Sequence, residues 1–359
     1  MSRTPVDRAA VEAVLRDFQD PETGRGLLDM EQVRDLSVDD TRIALQLGLT
    51  SYVRPLWNET KADLIERLKN ETGAEQVEIE LFEFDRKPQQ IGQIGLTAKS
   101  VIAVASGKGG VGKSTIAACL ALGLLRSGCK VGLLDADVYG PSVPHLLGLQ
   151  GRLEVLDNKI QPAVTNGLKV VSIGLMVPPG EAVIWRGPML HGAVTNFLRD
   201  TAWGDLDYLI IDMPPGTGDI ALTLSQLLPL SGAVIVCTPQ DVALIDAVKA
   251  IAMYRKVNIP VLGVVENMSY FLCPDNGKRY NIFGTGGARQ AATDQQLPFL
   301  GEVPINMQIR INGDEGKTSA NFDDAAIAEH FDPICYSVVK ILATKHRAEP
   351  PLPSLTILE

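Results

Sequence analysis

The sequence predicts a small α+β domain followed by a doubly wound α/β domain with a mostly parallel sheet. The first observation is length, since 359 residues suffice for roughly two domains. The second is a change of pattern: the N-terminal part is rich in charge, whereas the rest contains short runs of Val and Ile. Uninterrupted apolar strands of that kind are typical of a parallel sheet covered on both faces.

Residues 1–84 are predicted to form the small domain. Apolar residues recur every four positions near the N-terminus, as on one face of a helix, at Val6, Ala10, Val14 and Phe18. The segment VEIELFEF, residues 77–84, alternates as a half-buried strand does. The following polar stretch, 85–99, contains Pro88 and spaced glycines, and it is predicted to be a linker.

Residues 100–345 are predicted to form the second domain. Its strands are predicted from the apolar runs VIAVAS, KVGLLD, YLIIDM, GAVIVCT and VLGVVEN. The segments between these runs are long enough for crossover helices. The segment DPICYSVVKILATKH predicts a closing helix, and the tail 346–359 is too rich in proline to extend it.

Composition and charge argue against several classes of function. The chain has 43 acidic and 33 basic residues and a formal net charge of -10, which disfavours non-specific binding to nucleic acid. The most apolar stretch is interrupted by polar residues, Pro and Gly before it could span a bilayer. The 5 cysteines are an odd, scattered set that does not suggest a disulfide framework. We therefore expect a cytoplasmic protein with no nucleic-acid or membrane partner.

A phosphate-binding loop is predicted where the first strand of the second domain ends. Residues 106–115, SGKGGVGKST, match G-x-x-x-x-G-K-[ST] between a predicted strand and a predicted helix. Glycines let successive backbone N–H groups point at phosphate oxygens, and the helix adds its positive N-terminal end. The predicted nucleotide-binding residues are Gly107, Lys108, Gly109, Gly110, Val111, Gly112, Lys113, Ser114 and Thr115.

Two residues of this loop and one later carboxylate have predicted chemical roles. Lys113 is predicted to reach the β- and γ-phosphates of ATP, and the Ser114 hydroxyl is predicted to bind Mg²⁺. Asp212 ends the strand YLIIDM and is predicted to hold Mg²⁺ through a water molecule. The alternatives are a glycine-rich turn with a surface lysine, and a turn-forming aspartate.

The pattern K-G-G-x-G-K-[ST] resembles the deviant Walker A motif of the ATPase class that includes MinD, ParA and the nitrogenase iron protein. The resemblance implies a homodimer in which Lys108 reaches the partner's nucleotide. It also implies that Asp137 positions the attacking water, with Asp135 as a possible supporting carboxylate for Mg²⁺. For the adenine base, the resemblance points to Asn267 and to the loop around Pro304. Asp137 also fits a helix cap, and Asn267 and Pro304 also fit ordinary turns.

Three further segments resemble the Mrp/ApbC family of iron-sulfur cluster carriers: DADVYGPSVPHLLG, IWRGPMLHGAVTNFL and ENMSYFLCPDNGKRYNIFGTGGAR. The residues Asp20-Pro21-Glu22 are similar to the D-P-E turn of the small domain often fused to these carriers. The resemblance covers most of the chain. It implies an ATPase that binds a cluster, expected to be [4Fe–4S], and transfers it to apoproteins.

The sequence departs from this family in the cluster-binding segment. Carriers of the family usually have C-P-x-C there, so that a dimer supplies four thiolates. Here the residues are Cys273-Pro274-Asp275-Asn276, and Asn276 is a poor ligand for iron. The family's cysteine in the small domain is replaced by Arg54. Cys273 is thus the candidate cluster ligand. The alternatives are a Cys273 that binds no iron and a nucleotide-switched scaffold that has lost the cluster.

The other cysteines and two of the histidines are predicted to have structural roles. Apolar neighbours surround four cysteines, which are expected to pack as small hydrophobic residues: Cys119, Cys129, Cys237 and Cys335. His145 and His191 have no partner at ligand spacing, and they are expected to be surface or packing residues.

Overall fold

The computed structural model describes residues 5–138, 140–176, 187–216 and 218–348. The chain divides into two compact units. Unit 1 contains the residues up to Arg86 and those from Val338 onward, and unit 2 is Lys87–Ser337. Most of the predicted proline-rich tail, 349–359, lies outside the described residues.

Unit 1 contains a mixed three-stranded sheet. Its elements are α1 (Arg8–Asp17), β1 (Val33–Val38), β2 (Arg42–Leu49), α2 (Trp57–Thr72) and β3 (Gln76–Glu83). Strand β2 is central, antiparallel to β1 and parallel to β3. The predicted helix and strand are both present. Helix α1 begins after the Asp7 cap, however, so its buried face contains Val11 and Leu15 beside Val14 rather than Ala10.

The last helix ends in unit 1, whereas the sequence predicts the whole helix in the second domain. Lys340 Nζ lies 2.7 Å from Glu59 Oε1. The His346 ring stacks on Tyr52 with 6.2 Å between the ring centroids. These contacts explain why the residues from Val338 onward pack with the N-terminal part of the chain.

The D-P-E turn is the polar centre of unit 1. Asp20 is fully buried and accepts hydrogen bonds from Thr23, Gln32 and Arg86. Arg86 Nη1 lies 3.0 Å from Asp20 and 3.5 Å from Glu22. A buried carboxylate is tolerated when such donors satisfy it, so the turn has a structural role in holding Arg86 at the end of unit 1.

Unit 2 is built on a ten-stranded, mostly parallel sheet. Its strands are β4 (Gln90–Ile91), β5 (Leu96–Ala105), β6 (Val131–Asp135), β9 (Ala163–Thr165), β10 (Leu168–Ser172), β11 (Leu206–Asp212), β12 (Gly232–Cys237), β13 (Val261–Leu272), β14 (Arg279–Tyr280) and β15 (Phe299–Ile305). A separate hairpin joins β7 (Val155–Leu156) and β8 (Lys159–Ile160). The order is β14-β13-β12-β5-β11-β6-β10-β9, with β15 beside β13 and β4 beside β5.

The five predicted strands are β5, β6, β11, β12 and β13. Every residue of β6, β11 and β12 is buried, as expected for strands covered on both faces. Neighbouring pairs among the five are parallel. The predicted α/β class with a mostly parallel sheet is therefore confirmed.

Helices lie between the strands of unit 2 and after its last strand, and the final helix continues into unit 1. They are α3 (Lys113–Arg126), α4 (Val143–Leu146), α5 (Gly187–Arg199), α6 (Gly218–Leu227), α7 (Asp241–Lys256), α8 (Gly287–Asp294), α9 (Met307–Asp314) and α10 (Ala325–Ala348). Helix α3 packs on β5, β6 and β11, and α7 packs on β12. Across the described ranges, no helix combines the length and apolar character needed to cross a membrane.

Residues 85–99, predicted to be a linker, contain regular structure. Strand β4 pairs antiparallel with the start of β5 through a turn whose Gly92 and Gly95 have positive φ. Strand β5 begins at Leu96 rather than at Val101, and Leu96 is buried in the core. The polar composition of the segment thus belongs to a tight turn at the edge of unit 2.

Candidate nucleotide-binding site

The predicted phosphate loop lies between β5 and α3. Gly112, with φ +79°, directly precedes the helix, in a left-handed conformation that favours glycine. A Cβ atom on Gly107 would lie 2.2 Å from the backbone of Asp246, so helix α7 also requires glycine at that position. Lys113 and Ser114 then begin α3, where the first backbone N–H groups are free to bind an anion.

Three predicted residues meet around the Lys113 ammonium group. Its Nζ atom lies 2.5 Å from Asp212 Oδ1, 3.6 Å from Asp137 Oδ2 and 3.2 Å from Ser114 Oγ. Lys113 and Asp137 are buried, and Asp212 is completely so. The structure therefore brings together residues from the carboxyl ends of β5, β6 and β11, where ligands of parallel sheets bind.

Asp212 has one carboxylate oxygen that remains unsatisfied. Burial raises the pKa of this carboxyl group, while the nearby charge of Lys113 lowers it. Its Oδ2 atom is buried and has no hydrogen-bond partner among the described residues. A buried carboxylate oxygen without a partner is costly, and hard cations bind such oxygens. Asp212 and the Ser114 hydroxyl therefore fit the predicted Mg²⁺ site.

Asp135 is engaged by the polypeptide around it. One carboxylate oxygen accepts a hydrogen bond from the Asp137 N–H at 3.1 Å. The other accepts from the Ser172 hydroxyl at 2.9 Å and from the Val143 N–H at 3.3 Å. Burial, reinforced by the negative charge of Asp212, raises the pKa of Asp135 to about 8. Asp135 thus holds the backbone of Asp137, a role that sequence reasoning did not identify.

Two neighbouring cavities open beside the loop. A cleft of about 290 Å³ is lined by Lys108, Lys113, Ser114, Asp137 and other residues of the loop and its surroundings. A second cavity of about 430 Å³ is more apolar and is lined by Asn267, Pro304, Met268, Phe283, Arg310 and their neighbours. Both cavities are lined by Gly112, Thr115 and Leu146. A polar and an apolar cavity in this arrangement suit the phosphates and the base of one nucleotide.

Two of the predicted loop residues do not line the polar cleft. Val111 is buried, and Gly107 lines a third cavity with Asp246 and Tyr254. The loop after β11 also approaches the phosphate loop, since the Gly216 N–H donates to the Ser106 carbonyl oxygen at 3.0 Å. Pro215 lines the polar cleft from that side.

Asn267 has a contact that its sequence position does not reveal. Its Nδ2 atom donates to the carbonyl oxygen of Val111 at 2.8 Å. A Cβ atom on Gly112 would lie 2.1 Å from the same Nδ2 atom. Asn267 therefore supports the phosphate loop in addition to lining the apolar cavity with Pro304.

Cys273 lies in the hairpin turn between β13 and β14 and is partly exposed. Its N–H donates to the carbonyl oxygen of Lys278 at 2.9 Å. Asn276, at the position where a second cysteine is expected from the resemblance, accepts a hydrogen bond from the Lys278 N–H at 2.9 Å and so shapes the turn. Within the described part of the chain, no group of three or more His, Cys, Asp or Glu side chains could hold a metal ion.

The remaining cysteines are buried, as predicted. Burial raises the pKa of the Cys119 and Cys237 thiols to about 12, and it also raises the pKa of Cys335. Such thiols are poor nucleophiles and metal ligands. His191 has a structural contact, because its Nδ1 atom forms a hydrogen bond with Thr223 Oγ1 at 2.9 Å. Arg54 stacks on the Trp57 ring at 3.8 Å.

Comparison with known proteins assigns both parts of the chain. Residues 97–339 match the ParA family model, described as a NUBPL iron-transfer P-loop NTPase. Residues 8–81 match an iron-sulfur cluster assembly protein model. The chain is 47% identical over 310 residues to the iron-sulfur cluster carrier protein of Deinococcus radiodurans, covering 86% of this chain and 87% of the relative. It is 42% identical over 315 residues to the Escherichia coli K12 protein of the same name, covering 86% and 85%.

A solved structure supports the fold of the second part. The nucleotide-binding protein of Archaeoglobus fulgidus in complex with ADP is 43% identical to this chain. The match covers 65% of this chain and 92% of that protein, with a TM-score of 0.57.

Proposed function

The chain belongs to the ParA/NUBPL family of iron-transfer P-loop NTPases, and from this premise we propose that it is an ATP-hydrolysing carrier of iron-sulfur clusters. In this proposal it binds a cluster and passes it to apoproteins. The observation that carries the proposal is the convergence of Asp137 and Asp212 on Lys113 beside the phosphate loop, where Lys113 and Asp137 line the cleft. The names of the relatives support the cargo.

ATP binding requires the Lys113 ammonium group to change partners. In the structure it pairs with Asp212. The phosphates of ATP, bound by the loop N–H groups, attract Lys113 and leave Asp212 and the Ser114 hydroxyl to hold Mg²⁺. Mg²⁺ supplies charge neutralisation at the phosphate oxygens. The apolar cavity lined by Asn267 and Pro304 takes the adenine ring.

Hydrolysis depends on the Asp137 carboxylate in this proposal. Asp137 orients a water molecule toward the γ-phosphate, and Asp135 fixes the backbone of Asp137 through its N–H. A positioned carboxylate and a positioned lysine raise the rate mainly by orientation and electrostatics. Lys108, which borders the polar cleft, acts on the nucleotide of a second subunit.

Exposed apolar side chains support a homodimer. Met189 on α5, Leu222 on α6, and Val242 and Ile245 on α7 have relative exposures between 47% and 65%. Helices α5, α6 and α7 pack against one another in sequence order. Large apolar side chains grouped on adjacent helices are typical of an interaction surface.

The cluster is the cargo, and Cys273 is its proposed ligand. A homodimer brings two such thiolates, whereas a [4Fe–4S] cluster uses four ligands. The remaining positions are open to small thiols, to Asp275 or to cysteines of the recipient. Oxygen ligands bind such iron weakly, so thiolates of an apoprotein can displace them. We also propose that the protein works in the cytoplasm, where its free cysteines stay reduced.

Anaerobic reconstitution tests the cargo assignment. Wild type, Cys273→Ala and the control Cys129→Ala are incubated with iron and sulfide, and bound iron and visible absorbance are measured. Wild type and Cys129→Ala are expected to bind the same amount of cluster, because Cys129 is buried. Cys273→Ala is expected to lose it. Equal loading of Cys273→Ala would remove Cys273 from the mechanism.

A nucleotide-switched scaffold is the second candidate function. It is favoured by Asn276 and Arg54, which occupy the positions of two family thiols and make structural contacts instead. Reconstituted wild type that stays colourless, while ATP still changes its affinity for a protein partner, would support the scaffold and contradict the carrier.

A further inference from the structure

We propose that Asn267 and Met268 link the nucleotide site to the hairpin of Cys273, so that a bound nucleotide slows the reaction of the Cys273 thiol with reagents in solution. The inference rests on the proposed function in one respect, since it assumes that a nucleotide occupies the two cavities beside the phosphate loop. It adds a specific route within one chain, from the base cavity to the cysteine.

A single strand connects the two places. Strand β13, Val261–Leu272, passes the phosphate loop at Asn267, whose side chain binds the Val111 carbonyl oxygen. The strand ends one residue before Cys273. The strand therefore places Asn267 and the start of the hairpin turn on one element, without an intervening loop.

The strand is irregular between these two points. Asn267 pairs with Val303 of β15, and the next pair is Phe271 with Ile305, so β13 contains extra residues in between. Within this bulge Met268 has a φ of +53°, a conformation that side-chain-bearing residues rarely adopt. Bulges and residues held in such conformations are enriched near functional sites.

The Met268 side chain lines the apolar cavity beside Asn267 and Phe283. A base in that cavity contacts Met268 directly. Binding of phosphates to the loop also fixes the Val111 carbonyl group that Asn267 holds. A ligand shifts a conformational equilibrium when it binds one conformation more tightly than the other. The contact of the base with Met268 and the contact of Asn267 with the Val111 carbonyl group both act on the bulge.

Side chains tie the hairpin to the same bulge. Arg279 of β14 stacks on Tyr270 at 3.6 Å and lies 3.1 Å from Glu302 of β15. Ser269 donates to the buried Glu266 at 2.7 Å and lies 3.3 Å from Glu302. Arg279 thus positions the strand that follows Cys273 relative to the bulge residues. Loss of Arg279 would free the hairpin from changes at Met268.

Thiol labelling measures the link without a cluster. All five cysteines lie in the described ranges, and Cys273 alone is not buried, so it should react first with N-ethylmaleimide. Full-length wild type is labelled without nucleotide and with saturating Mg-ADP, and calorimetry establishes saturation. We expect Mg-ADP to slow labelling by about threefold or more, since a filled cavity restrains the bulge. The ratio should not depend on protein concentration, because the link lies within one chain.

Variants separate the link from general stability. Arg279→Gln should react rapidly with and without Mg-ADP while binding Mg-ADP as wild type does, because Arg279 is not among the residues lining the two cavities. Met268→Gly should also lose the nucleotide effect at saturation. The matched control is Arg289→Gln, since Arg289 makes a similar contact with Phe299 at 4.1 Å that joins α8 to β15 and does not include the Cys273 hairpin. It should keep the wild-type ratio.

The outcomes distinguish this inference from the proposed function. Wild type that binds Mg-ADP but shows unchanged labelling overturns the link and leaves nucleotide binding intact. Arg279→Gln that responds as wild type does overturns the link as well. Protection found only at high protein concentration overturns it in favour of shielding by a second subunit. Failure to bind Mg-ADP in calorimetry overturns both the link and the proposed ATPase.

Discussion

The Lys113 ammonium group lies 2.5 Å from Asp212 Oδ1, and both side chains are buried beside the phosphate loop. Each group compensates the charge of the other. Removing one partner of a buried ion pair leaves an uncompensated charge, whereas removing both charges is often tolerated. Lys113, which is proposed to bind the phosphates of ATP, is therefore also a structural residue.

The first prediction concerns this pair. Lys113→Ala should weaken Mg-ADP binding at least about tenfold and lower the free energy of unfolding by about 3 kcal/mol, because Asp212 loses its counter-charge. The double variant Lys113→Ala with Asp212→Asn should recover most of the stability but not the binding. Calorimetry and chemical denaturation measure the two effects. A double variant no more stable than Lys113→Ala would contradict the assigned role of the pair.

The second prediction separates binding from hydrolysis at Asp137. Asp137→Asn keeps the shape of the side chain but removes the carboxylate that is proposed to orient water. We expect ATP affinity to change little and phosphate release to slow about a hundredfold. If Asp137→Asn binds ATP tightly and releases phosphate at the wild-type rate, the role of Asp137 in hydrolysis is refuted. If it binds ATP weakly but turns over normally, Asp137 has the binding role that is assigned here to Lys113.

The third prediction concerns pH and the end of α10. Burial lowers the pKa of His346 below its usual 6.5, with a smaller effect of Lys345 in the same direction. The Nδ1 atom of His346 has no hydrogen-bond partner within the described ranges. His346 therefore binds a proton more readily in the unfolded state than in the folded state. Neutral His346 makes its full contribution to the free energy of unfolding above pH 6.5. That contribution is lost as the pH falls through the lower pKa of the folded state.

Hydrogen exchange of the amides from Val338 to Ala348 checks this expectation. After correction for intrinsic rates, wild-type protection should decrease between about pH 7 and about pH 5. In His346→Gln, which cannot gain the proton, protection in this segment should depend less on pH. The same pH profile in both proteins would show that another group controls the docking of this segment.

The residues of the phosphate site could be predicted from sequence because their types and spacing directly determine the local structure. Gly112, Lys113 and Ser114 lie within one strand–loop–helix unit, and Asp212 ends a strand that parallel pairing brings to the same sheet edge. The pairing of β4 with β5 was not predicted. The polar residues of the turn between these strands have the composition of a linker, so the sequence alone predicts a linker there.

Other features depend on contacts between distant residues. Asn267 binds the carbonyl oxygen of Val111, 156 residues earlier in the chain, which no local pattern encodes. The positive φ of Met268 follows from the offset pairing of β13 with β15. Asp135 holds the backbone of Asp137 partly because Ser172, on the adjacent strand β10, holds Asp135. These contacts appear only when the strands are assembled.

The last prediction tests whether Lys108 acts across subunits. Lys108→Ala should lower both turnover and ATP-dependent dimerisation, because Lys108 is proposed to act on the partner's nucleotide. Asp137→Asn should be inactive for a different reason, since it keeps Lys108 but cannot orient water. Mixed dimers of the two variants then contain one complete site, made of Asp137 from one subunit and Lys108 from the other.

Mixing the two inactive proteins should therefore restore activity, up to about a quarter of the wild-type value when dimerisation is complete, because half of the dimers are then mixed and each has one working site of two. Phosphate release measures the recovery, and sedimentation in ATP checks that dimers form. Each variant measured alone is the control. If Lys108 acts within its own subunit, no site in the mixture is complete, and the activity stays at the level of the separate variants.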